Sequence, residues 1–183
     1  MLVVNFSPFP ELRTNRLLLR KLEKKDGREI FFLRSNEDVL RYLGKEPAAT
    51  IAEAEEFIGK INKNVDENES ILWGIALLND QNTIIGTICL WNFKKEHYRS
   101  EVGYILHPDH WRKGIMKEAI HSVIDYGFNV LKLHSIEALL SPDNIASSSV
   151  LESTGFVKEG LLKESFYFKG EFNDTLIYSK LNK

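Results

Sequence analysis

The sequence predicts a single α/β domain over residues 1–183, with a mixed sheet of about seven strands flanked by about four helices. The first observation is the length, because 183 residues are typical of one domain. The second is that short apolar runs of strand type alternate with amphipathic helical segments along the chain. The third is that no linker, internal repeat or low-complexity segment divides this pattern.

The first elements are one strand and two helical segments. The run RLLLRKL at residues 16–22 predicts the strand, and residues 23–43 predict helix and helix-like turns. Residues 50–65 predict a clearer helix, because Thr50 and Glu53 have the spacing of a capping box.

The middle of the chain predicts the core of the sheet. Three strand-like runs follow one another at residues 71–78, 83–93 and 101–107. A helix is predicted from about residue 113 to 131, and a strand at residues 134–140. We expect this strand–helix–strand unit to be parallel and right-handed.

The last part predicts a short helix and a hairpin. The helix covers residues 145–154, and Gly155 can end it in a left-handed cap. Residues 156–181 form the hairpin, which turns at Lys169 and Gly170.

Composition excludes several classes of protein. The formal net charge of −2 gives no general polycationic surface, so we expect no direct nucleic-acid binding. Cys89 is the only cysteine, which excludes an internal disulfide, and its apolar run predicts a buried strand position. The first ten residues lack the basic region of a secretion signal, and no apolar run has membrane-spanning length. A cytoplasmic enzyme or binding protein is expected.

The stretch HWRKGIMKEA places cations and a glycine at a strand-to-helix junction. Helix starts expose backbone N–H groups without partners, and the helix dipole adds positive charge there. Gly114 permits close approach of an anion, and Arg112 and Lys113 add charge. On spacing alone, a solvated helix start and an anion site both remain open. The Walker spacing is absent.

The stretch WRKGIMKEA resembles the acyl-CoA pyrophosphate loop of the GNAT superfamily of N-acetyltransferases, whose pattern is Q/R-x-x-G-x-G/A. LRTNRLLLRKL, EVGYILHPDHW and NIASSSVLESTGFVKEG resemble the RimJ/RimL-type branch, and the resemblance covers about residues 12–181. Trp111 occupies the first loop position. Met116 stands where Gly or Ala is usual, and its side chain would either crowd the phosphates or turn inward.

The resemblance implies a GNAT-type fold with splayed central parallel strands and a CoA-binding core at about residues 84–160. Acetyl-CoA is the implied cosubstrate, with no metal. The implied contacts to the CoA pyrophosphate are the backbone amides of Arg112, Lys113, Gly114, Ile115, Met116 and Lys117. In such enzymes the strand before the loop carries a bulge and pairs with pantetheine, which implicates Tyr104, Ile105 and Leu106. Asn144 is implied to contact pantetheine and also has the position of a helix cap.

Three residues are candidates for the chemistry of acetyl transfer. Glu101 would accept the amine proton, and its alternative is an exposed carboxylate on a strand edge. The backbone N–H near Leu106 would polarise the thioester carbonyl. Many superfamily members protonate the leaving thiolate with a tyrosine where this chain has Leu151. The RimL-type alternative is Ser147, which is otherwise a serine of the first helical turn.

Other polar groups carry weaker predictions. His121, Ser122 and Asp125 contain triad residue types, but we expect them on the solvated face of one helix. The H-x-x-H spacing of His107 and His110 lies in a strand-to-helix loop, and we expect no metal there.

Trp91 and Phe93 end a strand. They line either an acceptor pocket or the core, and the sequence favours neither.

The predicted function is acetyl-CoA-dependent N-acetylation by direct transfer to a primary amine. A protein or peptide N-terminal α-amine is the favoured acceptor. The alternatives are a small amine, such as a polyamine, an amino sugar or a drug, and a CoA-binding module without turnover. The two early helices and the hairpin around Gly170 are expected to form the acceptor groove. Both a monomer and a homodimer are compatible with the sequence.

Overall fold

One mixed sheet organises the chain. The computed structural model describes residues 1–183 and contains eight strands in the order β1-β2-β3-β4-β5-β6-β8-β7. The strands are β1 (Leu12–Arg13), β2 (Leu17–Arg20), β3 (Ile71–Leu77), β4 (Gly86–Lys94), β5 (Arg99–Leu106), β6 (Ser135–Leu140), β7 (Val157–Phe168) and β8 (Glu171–Leu181). The α/β architecture is confirmed, and the additional strand is the two-residue β1, which pairs with β2.

Five α-helices flank the sheet. They are α1 (Gly27–Ser35), α2 (Glu37–Leu40), α3 (Ile51–Asp66), α4 (Ile115–Asp125) and α5 (Ile145–Ser153). The segment predicted as the first helix is divided because Asn36 is extended, and its side chain caps α2 by accepting from the Val39 N–H at 3.1 Å. Thr50 caps α3 as predicted, accepting from the Glu53 N–H at 3.2 Å.

The sheet separates two apolar clusters. Strand β3 contributes alternate residues to each, because successive side chains of a strand point to opposite faces. Ile71 and Trp73 belong to the larger cluster, which α4 covers. Leu72 and Ala76 belong to the smaller one, which α1 and α3 cover. The sheet is therefore buried on both faces at its centre.

The two parallel strands of the sheet separate along their length. Strands β5 and β6 pair only from Arg99 with Ser135 to Glu101 with Glu137. Beyond this point β5 stays paired with β4, whereas β6 stays paired with β8. The predicted splay is confirmed, and it begins at Glu101.

The bulge beside this opening lies on β4, so its expected position on β5 is wrong. Trp91 pairs with Glu101 and Lys94 pairs with Arg99. Between these two pairs β4 therefore has one residue more than β5, which is a β-bulge on β4. Asn92 absorbs the extra residue with a φ of 50°, a left-handed conformation that asparagine tolerates.

The C-terminal elements agree with their predictions. Helix α4 continues into a π-helical turn at Tyr126–Val130. Gly155, with a φ of 86°, follows α5, and Lys169 and Gly170 turn the final hairpin in left-handed conformations. No helix of the chain combines the length and apolar character needed to cross a membrane.

A buried ion pair joins the first strand to the first helix. The Arg20 guanidinium donates to both carboxylate oxygens of Asp26 at 2.8 Å, and Asp26 is 1% exposed. Asp26 also accepts from the Glu23 N–H at 2.7 Å. This bidentate pair fixes β2 against the start of α1.

We expect Asp26→Ala to lower the free energy of unfolding by about 3–5 kcal/mol, because it leaves the Arg20 charge buried without a partner. Urea unfolding followed by circular dichroism measures the change. Asp66→Ala is the control, since the Lys21–Asp66 pair is exposed at the surface and is worth at most about 1 kcal/mol. Equal losses in the two variants would contradict a special role for the buried pair.

Candidate active site

The junction between β5 and α4 presents a row of free backbone donors. None of the N–H groups from Arg112 to Lys117 donates to a protein acceptor, and the first helical bond runs from the Glu118 N–H to the Gly114 carbonyl at 3.1 Å. Arg112 and Gly114 have left-handed φ values of 57° and 72°. Such unpaired N–H groups at a helix start, strengthened by the helix dipole, suit an anion.

The side chains of this junction divide between solvent and core. Arg112 and Lys113 are exposed, whereas Ile115 and Met116 are only 4% and 7% exposed and pack in the larger apolar cluster. Met116 therefore turns inward, which is one of the two orientations left open by the sequence. At these two positions only the backbone faces the junction.

A carboxylate that the sequence analysis did not single out holds the junction in place. Glu118 accepts from the Thr14 hydroxyl at 2.6 Å and from the Arg16 N–H and guanidinium at 2.9 and 2.6 Å. The same guanidinium donates to the Lys113 carbonyl at 2.9 Å. Burial alone would raise the pKa of Glu118, but the bonds from Thr14 and Arg16 and the Arg16 charge lower it.

The splayed strands open into a cavity of about 410 Å³. One wall is β5 from Glu101 to Ile105, and another is the end of β6 with Asn144 and Ser147. Helices α1 and α3 and the loop after α2 close the remaining side. The early helices thus line this cavity as expected for the acceptor groove, whereas the hairpin around Gly170 contributes no residue to it.

The backbone N–H groups of β5 point alternately to β4 and to the opposite side along this cavity. The His107 N–H donates to the Ile85 carbonyl at 2.8 Å and so points to the β4 side. Because polar groups alternate along an antiparallel strand, the backbone of Ile105 also faces β4. The N–H groups of Tyr104 and Leu106 face the opposite side, where β6 has already diverged. These two N–H groups therefore have no strand partner, and of the two residues Tyr104 lines the cavity whereas Leu106 does not.

An indole stabilises the end of this strand. The Trp111 N–H donates to the Leu106 carbonyl at 2.8 Å, while the ring is partly exposed at the start of the junction. The carbonyl of Leu106 is thereby occupied and its N–H is left as the donor.

Glu101 is a buried carboxylate at the point of splay. It is 7% exposed, so the alternative of an exposed edge residue is wrong. Burial raises its pKa, and the charge of Glu137 raises it further. A bond of 3.5 Å from the Asn92 amide and the charges of Lys94 and Lys45 oppose this. The bulge on β4 places Asn92 at this contact.

Glu137, which the sequence analysis did not single out, joins three strands at the same level. It accepts from Lys94 of β4 at 2.9 Å and from Arg99 of β5 at 2.7 Å. At 7% exposure it is buried, and its two cations compensate its charge. This network links the three strands at the point where β5 and β6 begin to separate, and it places a negative charge beside Glu101.

Two predicted residues meet at the start of α5. The Asn144 side chain accepts from the Ser147 N–H at 3.1 Å, which confirms its predicted role as a cap. Ser147 is half-buried and lines the cavity. The Tyr104 hydroxyl lies beside it, and burial raises the pKa of Tyr104 to about 12 against the effect of Ser147. Leu151 is 1% exposed and belongs to the core.

Three residues of β4 have different environments. Trp91 lines the cavity and is 45% exposed, whereas Phe93 packs on Phe6 with ring centroids 6.0 Å apart. Trp91 therefore lines the pocket, whereas Phe93 belongs to the core. Cys89 also lines the cavity; its predicted position on a strand is confirmed in β4, but the residue is half-buried rather than buried. Burial raises the pKa of its thiol to about 11, so the thiol stays protonated at neutral pH.

The remaining polar residues singled out in the sequence lie outside the cavity. His107 stacks on Phe32 with ring centroids 4.2 Å apart, and its Nδ1 accepts from the Asp109 N–H at 3.2 Å. On α4, His121 and Asp125 are exposed to solvent.

Comparison with known proteins shows which proteins this chain resembles in sequence. Residues 16–157 match the acetyltransferase (GNAT) domain family. The uncharacterized N-acetyltransferase YoaA of Bacillus subtilis (strain 168) is 40% identical over 171 residues, covering 93% of this chain and 96% of that protein. The spermidine N(1)-acetyltransferase of Vibrio cholerae is 31% identical and covers 87% of this chain and 90% of its own length.

Two solved structures share the architecture. The ribosomal-protein-S5-alanine acetyltransferase from Vibrio fischeri has a TM-score of 0.82 and 28% identity, covering 95% of this chain and 97% of its own. The spermidine N-acetyltransferase from Vibrio cholerae, in complex with CoA and spermine, has a TM-score of 0.80 and 30% identity, covering 92% of this chain and 96% of its own. The expected GNAT-type fold is confirmed.

We expect Gly114→Asp to abolish the rise in melting temperature that CoA causes in the wild type, because its carboxylate would repel the pyrophosphate. Thermal unfolding with and without CoA measures the shift. Gly114→Asn is the matched control, since asparagine has a similar size and tolerates the left-handed φ without adding charge. A shift in Gly114→Asp equal to that of the wild type would place CoA elsewhere.

Proposed function

This chain belongs to the acetyltransferase (GNAT) family and is an N-acetyltransferase that uses acetyl-CoA, and we propose that its acceptor is the N-terminal α-amine of a protein or peptide. The transfer is direct, with no covalent enzyme intermediate. The RimJ/RimL-type branch suggested by the sequence motifs is part of the same proposal. The structural similarity to a ribosomal-protein-S5-alanine acetyltransferase supports it.

Acetyl-CoA is proposed to lie along the splay of β5 and β6. The free N–H groups from Arg112 to Lys117 bind its pyrophosphate, with the two exposed cations Arg112 and Lys113 adding charge. Pantetheine passes beside the backbone of residues 104–106 and beside Asn144. This path leads from the junction into the cavity, where Glu101 and Ser147 lie.

Three groups of this chain are proposed to carry the chemistry. Glu101 takes a proton from the amine, whose nitrogen attacks the thioester carbon and forms the C–N bond. The Leu106 N–H stabilises the charge that develops on the carbonyl oxygen. As the C–S bond breaks, the sulfur takes the proton of the Ser147 hydroxyl, which regains one from solvent because Ser147 is partly exposed. The raised pKa of Glu101 makes it a stronger base than an exposed carboxylate.

The single observation that carries the choice of acceptor is the balance of fixed charge around the cavity. The cavity is lined by two cations, Arg34 and Lys45, and by two carboxylates, Glu46 and Glu101, and Glu46 is paired with Lys169 at 3.5 Å. A polyamine carries several positive charges and needs several unpaired carboxylates, which this lining does not supply. An α-amine carries one, and with a pKa of about 7.7–8.0 it is far more often neutral at pH 7 than lysine, at about 10.4.

A small amine is the second candidate. The observation that favours it is the similarity to the spermidine acetyltransferases, at 31% identity in sequence and 30% in the solved structure. Under this alternative the same base and the same CoA site serve a different acceptor.

The acceptor is tested by offering peptides that begin with Ala or Ser, with free and blocked N-termini, beside spermidine and acetyl-capped lysine peptides. We expect acetylation of the free α-amine only, since it is the acceptor most often neutral at working pH. Mass spectrometry of the products locates the acetyl group. Acetylation confined to spermidine or to lysine side chains would refute the proposal in favour of the small-amine alternative.

Glu101→Gln is expected to lower kcat by about 10²–10⁴-fold, because a positioned general base is lost. The raised pKa of Glu101 predicts that the wild-type rate falls as the pH drops through that pKa and the base becomes protonated, and that the variant lacks this limb. Profiles of kcat/KM against pH measure both effects, with the exposed Glu96→Gln as control. An unchanged CoA-induced thermal shift would show that the site remains folded. Rates within a factor of about two of the wild type at every pH would exclude this role.

A further inference from the structure

The cavity contains a half-buried arginine without a protein partner. Arg34 extends from α1, and its guanidinium carbon lies 3.9 Å from the centroid of the Phe57 ring of α3. Its side chain donates no hydrogen bond within the protein, and no carboxylate lies within 4.0 Å of it. Burial lowers the pKa of Arg34, which reflects a charge partly removed from water and left uncompensated.

The other arginines that are shielded from solvent have carboxylate partners within the protein. Arg20 is held by both oxygens of Asp26, and Arg99 is held by Glu137. Desolvating a charge without a partner is costly, so proteins pair such groups or use them for ligands. Arg34 is the exception, and it is the one that lines the cavity.

The stacking on Phe57 also prepares the guanidinium for a ligand. A planar guanidinium that covers an aromatic face keeps its N–H edge free, and that edge matches the two oxygens of a carboxylate. The ring limits the movement of the side chain, so less conformational freedom is lost when a ligand binds. Lys45, which lines the same cavity without an ion-pair partner, adds a second positive charge.

We propose that Arg34, seated on Phe57, binds a carboxylate that the acceptor itself carries, so that the acceptor is an amine with an acidic group. This deepens the proposed function and rests on it. Glu101 on β5 takes the amine, and Arg34 on α1 takes the carboxylate from another wall of the same cavity. In a peptide acceptor this carboxylate is an acidic side chain near the N-terminus, and in a free amino acid it is the α-carboxylate. A polyamine has no group for this subsite and brings positive charge towards it.

The proposal is tested with pairs of acceptors that differ only in a carboxylate and its amide. The pairs are L-serine and L-serinamide, Ser-Asp-amide and Ser-Asn-amide, Ser-Ala-Asp-amide and Ser-Ala-Asn-amide, and 4-aminobutyrate and 4-aminobutanamide. The ratio of kcat/KM for the carboxylate to that for the amide, within each pair, measures how strongly the subsite prefers a carboxylate. We expect the carboxylate to be favoured by about tenfold or more in at least one pair, as for a hydrogen-bonded charge.

The same ratios are measured in variants of the subsite. Arg34→Gln is expected to abolish the preference, and Arg34→Lys to retain part of it, because lysine keeps the charge without the planar fork. Arg41→Gln is the matched control, since Arg41 is an exposed arginine beyond α2 that pairs with Asp38 outside the cavity. We expect this variant to keep the wild-type ratio. The CoA-induced thermal shift confirms that each variant folds and binds the donor.

Two outcomes overturn the inference. One is that no pair favours the carboxylate, and the other is that the preference persists in Arg34→Gln. If α-amines are acetylated in either case, the proposed function stands without this subsite. If 4-aminobutyrate is preferred to its amide while no α-amine is acetylated, the subsite stands and the α-amine assignment fails.

Discussion

The early end of the parallel pairing between β5 and β6 is the constraint on which the rest of the structure depends. After Glu101 and Glu137 the two strands turn to different partners, so the backbone of β5 loses one neighbour in the middle of the sheet. Buried N–H groups without partners are costly, and a site that leaves them free is a site for a ligand. The cavity, the free donors along β5 and the buried position of Glu101 all accompany this one interruption.

A sheet opened in this way has to be held together where the opening starts. Glu137 does this by accepting from Lys94 and Arg99, so that three adjacent strands share one buried carboxylate. The same charge disfavours ionisation of Glu101, which is already desolvated by burial. The carboxylate that supports the sheet therefore also raises the pKa of Glu101. On the other face of the opening, the Arg16–Glu118 contact anchors the start of α4 to the first strands.

Local signals in the sequence predicted local structure well. The cap at Thr50, the left-handed Gly155 and the turn at Gly170 each depend on a few neighbouring residues, and all three occur as expected. The bulge on β4 was misplaced because an extra residue in a strand is defined only by the register with its neighbour. The contact of Arg16 with Glu118 was missed because its partners are separated by 102 positions in the chain.

The sequence by itself determined the class of protein and the position of the strand-to-helix junction whose backbone N–H groups are free. A strand, two cations, a glycine and an amphipathic helix in succession form a continuous segment, whose N–H groups are free for reasons of helix geometry alone. Only the tertiary structure decided the environment of each functional side chain. Burial of Glu101, the inward turn of Met116 and the isolation of Arg34 on Phe57 depend on which groups other elements bring alongside. Desolvation and charge pairing are properties of those neighbours, and no stretch of sequence records them.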